Sequence, residues 1–138
     1  MNTLARTPHS FGRTLATPYA QAVDEVKEAL KGEGFGILSE IDVKAVLKEK
    51  RGVDFRRYVI LGACNPPLAE KAFAADLDVG LLLPCNVVVY EDDGGSRVEV
   101  ADPIAMLEIL GRPELRPIAD EAKAKLERAV SGLGDGRR

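Results

Sequence analysis

The chain has 138 residues, of which 46% are hydrophobic and 30% are charged. This length and composition fit a single globular domain and exclude a disordered or fibrous protein. The net charge is -3, from 19 basic and 22 acidic residues, and no basic block suggests a nucleic-acid-binding face.

The first elements of the chain predict a strand followed by a long helix. Residues 10–15 carry a weak strand signal. The apolar spacing over residues 18–32 predicts an amphipathic helix, with Thr17 as its capping residue before a proline. Gly32 and Gly34 are expected to end this helix.

The next segment predicts two strands separated by a short helix. Residues 35–40 form the first strand, and Asp42 is expected to cap the helix. The residues of that helix that should face inward are Val43, Val46 and Leu47. Residues 56–64 are almost all apolar after the first two, which predicts a central strand buried on both faces.

Two capping residues that precede prolines mark the remaining helix starts. Asn65 should begin a helix whose inward residues are Leu68, Ala69, Ala72 and Phe73, and Asp102 should begin a short one. The last long helix is expected over residues 117–131. Between these helices, residues 85–91 and 97–101 are valine-rich strands joined by an Asp-Asp-Gly-Gly hairpin signal.

The element order is therefore β-α-β-β-β-β-α with short inserted helices. It predicts an α+β fold with a twisted, mainly antiparallel sheet of four to five strands and two long helices packed on one face. Residues 1–138 should form one domain, with an ordered core over about 10–131 and a frayed, glycine- and arginine-rich tail over 132–138.

Two Cys-Asn pairs are the strongest candidates for chemistry. Cys64–Asn65 and Cys85–Asn86 each lie at a strand boundary beside a proline. A thiol at a helix N-terminus, where Cys64 is expected, can be acidified, and an anion can bind at the same place. Alternatively, both cysteines are small core residues and Asn65 is only a helix cap.

The relative direction of two strands decides whether the cysteines meet. Cys64 ends the strand over residues 56–64, and Cys85 begins the strand over residues 85–91. The two thiols share one end of the sheet if these strands are antiparallel, and they lie at opposite ends if the strands are parallel. The sequence leaves this question open.

The carboxylates and the potential metal ligands are weaker candidates for a functional site. Glu40 and Asp42 flank one residue near a strand end, where two carboxylates can act as acid and base or bind a cation. The alternative is that Asp42 caps a helix and Glu40 is solvated. The chain has two cysteines and a single histidine, His9, without zinc-site spacing. We expect no metal site of the ordinary zinc type and no cofactor, because dinucleotide and Walker motifs are also absent. A soft metal ion held by two thiolates stays an open alternative.

The longest apolar stretches, over residues 58–64 and 81–90, are shorter than the about 20 residues of a membrane span. The N-terminal residues do not follow the pattern of a signal peptide. We therefore expect no membrane association, a cytoplasmic location and reduced thiols.

Three segments carry a family resemblance. They are Gly-Phe-Gly-Ile-Leu-Ser-Glu-Ile-Asp-Val at 34–43, Leu-Gly-Ala-Cys-Asn-Pro at 61–66 and Leu-Pro-Cys-Asn-Val-Val-Val-Tyr at 83–90. In this order they resemble the bacterial and archaeal family called domain of unknown function 302, over about residues 10–130. The resemblance implies a small α+β domain, a homodimer and no established activity. It also implies a shared site built from Cys64, Asn65, Cys85, Asn86, Glu40 and Asp42.

We expect a small-ligand binding or sensing domain whose site lies beside the two cysteines and holds a small anion, a soft metal ion or a reactive sulfur species. One alternative is a structural, homodimeric interaction protein with core cysteines. Another is a thiol-dependent redox or sulfur-transfer enzyme, which requires sulfur atoms close enough to bridge.

Overall fold

Six β-strands and five α-helices form the part of the chain that this computed structural model describes, residues 4–134. The strands are β1 (Ala5–Arg6), β2 (Ser10–Leu15), β3 (Gly36–Asp42), β4 (Tyr58–Cys64), β5 (Cys85–Asp92) and β6 (Gly95–Ala101). The α-helices are α1 (Tyr19–Gly32), α2 (Val43–Arg51), α3 (Pro66–Ala75), α4 (Pro103–Leu107) and α5 (Arg116–Ser131). Short 3-10 helices span Leu77–Leu81, Glu108–Leu110 and Pro113–Leu115.

The strands form one sheet in the order β1-β2-β6-β5-β4-β3, and every neighbouring pair is antiparallel. The predicted α+β fold is confirmed. The sheet has six strands where four to five were expected, because β1 was missed. That strand has only two residues, which is too short for a period-two pattern to be read.

The larger of two hydrophobic clusters, the main cluster, lies between one face of the sheet and the helices α1 and α5. Alternate residues of the strands, such as Leu61, Val87 and Val98, are fully buried in it. The predicted packing of both long helices on one face is confirmed. Leu133 is also fully buried in the main cluster, so the core extends beyond residue 131. The rest of the expected tail, residues 135–138, lies outside the described residues.

A smaller cluster, the end cluster, lies where α3, α4 and the start of α5 meet the Leu77–Leu81 turn. Its buried members are Ala72, Val79, Leu107, Leu115 and Ala119. Because α5 contributes to both clusters, this one helix connects the sheet to the short helices at its end.

Three of the four predicted caps are confirmed. Asp42, Asn65 and Asp102 accept hydrogen bonds from backbone N–H groups at the starts of α2, α3 and α4. The prediction for Thr17 is wrong. Pro18 is the N-terminal residue that flanks α1, and no side chain caps that helix. The hairpin prediction is also confirmed, since the turn residues Asp93 and Gly94 have φ angles of 47° and 82°.

The face of the sheet opposite the main cluster is less buried than expected. Tyr58 and Ile60 of β4 are only half-buried, so this central strand is fully covered on one face and not on both. The helix α2 has no buried residue, and Val46, expected to face inward, is 42% exposed. A continuous apolar run therefore did not distinguish a strand covered on both faces from one whose second face is partly open.

Gly62 allows the turn before β5 to lie close against β4. A Cβ atom at this position would lie 2.4 Å from Ser39 Oγ and 2.8 Å from Pro84 Cγ. Both distances are shorter than van der Waals contact. The absence of a side chain on Gly62 thus lets Pro84 and the adjacent Cys85 reach their places beside β4.

Gly62→Ala should therefore destabilise the protein by about 1–3 kcal/mol, the usual cost of overpacking a tight site. Gly36→Ala is the matched control, because Gly36 is also a strand glycine and a Cβ atom there meets nothing within 4 Å. Its effect on the free energy of unfolding should stay within about 0.5 kcal/mol. Urea unfolding of both variants provides the measurement, and equal effects would contradict the close approach.

Candidate functional site

The pairing of β4 with β5 brings the two Cys-Asn pairs to the same end of the sheet. The two strands are antiparallel, with Ala63 opposite Cys85 and Gly62 opposite Asn86. Cys64 is the last residue of β4, one position beyond the residue that faces Cys85. The question that the sequence left open is therefore answered: the cysteines are neighbours at one end of the sheet.

A cavity of about 230 Å³ lies at this end of the sheet. Its walls come from the strands β3 to β6, the helices α3 to α5, Phe35 before β3 and the segment before β5. Members of both the main cluster and the end cluster are among them. Four of the predicted site residues line it: Cys64, Asn65, Cys85 and Asn86. Most of the other walls are apolar side chains, and no charged residue is among the described residues that line the cavity.

The other two predicted site residues, Glu40 and Asp42, lie away from the cavity. β3 pairs Gly36 with Cys64 and Asp42 with Val59, so Asp42 is at the far end of the strand. Cys64 lies five positions after Val59, a span of about 17 Å along a strand. Each carboxylate has a partner there. Glu40 accepts a hydrogen bond of 2.8 Å from Lys27 Nζ, and Asp42 accepts one of 2.9 Å from the Ala45 N–H.

The thiols at the cavity are neutral near pH 7. Burial raises the pKa of the Cys64 thiol. Burial, and secondarily the nearby Cys64, raises the pKa of the Cys85 thiol from 9.0 to about 11. The direction is opposite to the acidification suggested by the helix N-terminus beside Cys64, because loss of solvent disfavours a thiolate. The described lining residues also include no histidine that could act as a base.

The two asparagines differ in what their side chains do. The Asn65 carboxamide oxygen accepts a hydrogen bond of 3.3 Å from the Leu68 N–H, and its nitrogen donates one of 3.5 Å to the Glu33 carbonyl. Asn65 thus fixes the start of α3 against the end of α1. Asn86 is exposed and lies opposite Gly62, the residue against which Pro84 packs.

Several cavity residues were not found from the sequence. Phe35, Leu38, Met106 and Ile118 come from four separate segments, so no local motif links them. Leu38 lies where the pairing of β3 with β4 shifts register, and this irregularity leaves its side chain 68% exposed. Phe73 was expected to face inward from its helical spacing. It lines the cavity but remains 42% exposed.

Within residues 4–134, no group of three or more histidine, cysteine, aspartate or glutamate side chains is arranged to hold a metal ion. Within the same range, every helix is too short or too polar to span a bilayer.

Comparison with known protein families identifies the family of this chain. Residues 11–133 match the family model described as "Domain of unknown function DUF302". The chain belongs to the DUF302 family. The resemblance carried by the two Cys-Asn segments and the segment at 34–43 is thereby confirmed.

A solved DUF302 structure shares this fold. The crystal structure of an uncharacterized conserved DUF302 protein from Bacillus stearothermophilus is 32% identical in sequence, with a TM-score of 0.81. The match covers 88% of this chain and 94% of that one. No curated protein matches the chain. Membership of DUF302 therefore establishes the fold and brings no activity with it.

The raised pKa of Cys85 predicts a loss of stability at high pH. Above pH 9, an unfolded cysteine loses its proton, whereas folded Cys85 keeps its own until about pH 11. The folded state then binds more protons, so stability falls as pH rises between these values. We expect Cys85 to account for a loss of about 3 kcal/mol over this range.

Urea unfolding between pH 8 and about pH 11 tests this effect, with the wild-type protein compared with Cys85→Ala. Cys85→Ala should lose less of its free energy of unfolding over the alkaline range than the wild type does. Cys64→Ala should keep most of the wild-type decrease with pH. If the free energy of unfolding depended on pH identically in the wild type and in Cys85→Ala, the fold would not hold the Cys85 thiol in its neutral form.

Proposed function

We propose that this DUF302 protein binds a small, uncharged, mainly apolar molecule in the cavity beside Cys64 and Cys85, as a binding or sensing domain. The observation that carries the proposal is the lining of the cavity, which is apolar with a few polar groups and without charge among the described residues. Ligand sites in proteins typically have this composition. The volume supports a ligand of about ten non-hydrogen atoms, since a cavity of roughly 150 Å³ accommodates benzene.

The electrostatics favour a neutral ligand over the ions considered from the sequence. An anion in an apolar cavity loses its hydration, and no lysine or arginine is among the described residues of the lining to replace it. A soft cation would require thiolates, and burial raises the pKa of both thiols. A neutral molecule incurs neither cost.

The same observations weigh against a thiol-dependent enzyme. Nucleophilic and redox cysteines act as thiolates and usually have lowered pKa values. The pKa of Cys85 is raised to about 11, in the opposite direction. We therefore assign both thiols to the wall of a binding cavity.

Ligand charge provides a direct test of the proposal. n-Octanol should raise the melting temperature, whereas octanoate and octylammonium at the same concentration should not. At ten times its dissociation constant, a ligand stabilises the folded state by about 1.4 kcal/mol. For a domain of this size, that corresponds to a shift of about 2–6 °C in differential scanning calorimetry.

A pair of alanine variants on α3 provides the control for binding in this cavity. Ala69 lines the cavity, and Ala74 is an exposed residue of the same helix outside the lining. Ala69→Leu should fill part of the space and abolish the shift with n-octanol, while Ala74→Leu should retain it. The proposal fails if octanoate stabilises the protein as well as n-octanol does, or if the two variants respond alike.

A second candidate function is self-association, and the face of the sheet opposite the main cluster, the open face, favours it. Ile41, Ile60 and Val88 lie directly opposite one another across β3, β4 and β5. Beside them, Tyr58 and Tyr90 stack with ring centroids 5.2 Å apart. A second copy of the chain would remove this apolar row from water, as expected of a homodimer.

Ile41 is 47% exposed on the open face, so Ile41→Lys should weaken a dimer formed there. Leu81→Lys is the control, because Leu81 is 81% exposed on the Leu77–Leu81 turn, which is not part of the sheet. Light scattering at micromolar concentration should show a dimer for the wild type and the control and a monomer for Ile41→Lys. A monomeric wild type would remove this candidate.

A further inference from the structure

Sulfur is concentrated in the walls of the cavity. The whole chain contains two cysteines and two methionines. Cys64, Cys85 and Met106 all line this one cavity, and the fourth sulfur-bearing residue, Met1, lies outside the described residues. These three residues come from β4, β5 and α4, which are three separate elements.

Aromatic side chains line the same space. Phe35, between α1 and β3, and Phe73, on α3, are two of the four phenylalanines in the chain. A purely aliphatic lining would be enough to bind a saturated hydrocarbon. Sulfur and aromatic rings add an attraction that depends on the polarisability and the quadrupole of the bound molecule.

We propose that the ligand of this cavity carries a neutral aromatic ring, held by sulfur–ring contacts from Cys85 and Met106 and by the two phenylalanine rings. This inference rests on the proposed function and specifies the class of molecule that the cavity selects. Sulfur–ring contacts form with the sulfur about 5 Å from the ring, often at the ring edge. A saturated ring with the same number of carbon atoms is somewhat bulkier and lacks this interaction.

The state of the thiols is consistent with this role. A thiolate inside this apolar cavity would lose its hydration without a compensating charge, which is unfavourable. Burial instead keeps the proton on Cys85, whose pKa rises to about 11. The neutral thiol then acts as a soft apolar contact with a weak S–H donor.

The test compares benzyl alcohol with cyclohexylmethanol, two neutral alcohols of equal heavy-atom count. Isothermal titration calorimetry gives the ratio of their dissociation constants for the wild type and for Met106→Leu, in which a similar volume replaces the sulfur. Differences in hydrophobicity between the two alcohols cancel when the ratio is compared between proteins. We expect Met106→Leu to shift the ratio about threefold in favour of cyclohexylmethanol.

Cys85→Ala is the second sulfur variant, and Ile118→Leu is the matched control. Ile118 also lines the cavity, so Ile118→Leu alters an apolar wall without removing sulfur. We expect Cys85→Ala to shift the ratio in the same direction as Met106→Leu and Ile118→Leu to leave it unchanged. A ratio unchanged in both sulfur variants overturns the inference.

The inference and the proposed function fail in different ways. If n-octanol binds the wild type and benzyl alcohol does not, the cavity is a ligand site but aromatic selection is wrong. If no neutral probe binds and Ala69→Leu behaves as Ala74→Leu does, the proposed function fails and the inference fails with it.

Discussion

The antiparallel pairing of β4 with β5 is the constraint on which the rest of the structure depends. It places Ala63 opposite Cys85, so the last residues of β4 and the first residues of β5 lie at the same end of the sheet. The turn before β5 must then pass close to β4, which Gly62 permits. α3 starts at that end of the sheet and encloses the cavity together with α4 and α5. The pairing of β3 with β4 places Asp42 at the end of β3 far from the cavity, with Glu40 two residues before it.

Local chemistry made much of this fold predictable. The caps Asn65 and Asp102 and the turn at Asp93–Gly94 depend on hydrogen bonds and φ angles within a few residues, and all were read from the sequence. Strand order and direction depend on contacts between distant segments, which a single sequence does not contain. The missed role of Leu38 has the same origin, since its exposure follows from a shift in the pairing of β3 with β4.

The sequence grouped the two Cys-Asn pairs but misjudged the electrostatic environment of their thiols. The four residues of the Cys-Asn pairs all line the cavity. The motif suggested an acidified thiol because a helix N-terminus follows Cys64. The burial of a side chain is set by the whole fold, however, and at Cys85 burial is the largest influence and raises the pKa. Desolvation thus changes the expected ligand from an ion to a neutral molecule.

The division of the interior into two clusters has a consequence for motion. Leu115, just before α5, and Ala119, near its start, pack in the end cluster. Leu126 and Val130, later in α5, pack in the main cluster with the sheet. At the boundary between two such packing units, one unit can open while the other stays folded. Such a partial opening costs less free energy than global unfolding. We therefore expect amide protons of α3 and α4 to exchange through openings that leave β4, β5 and β6 paired. Such openings would give a molecule a route to the cavity without global unfolding.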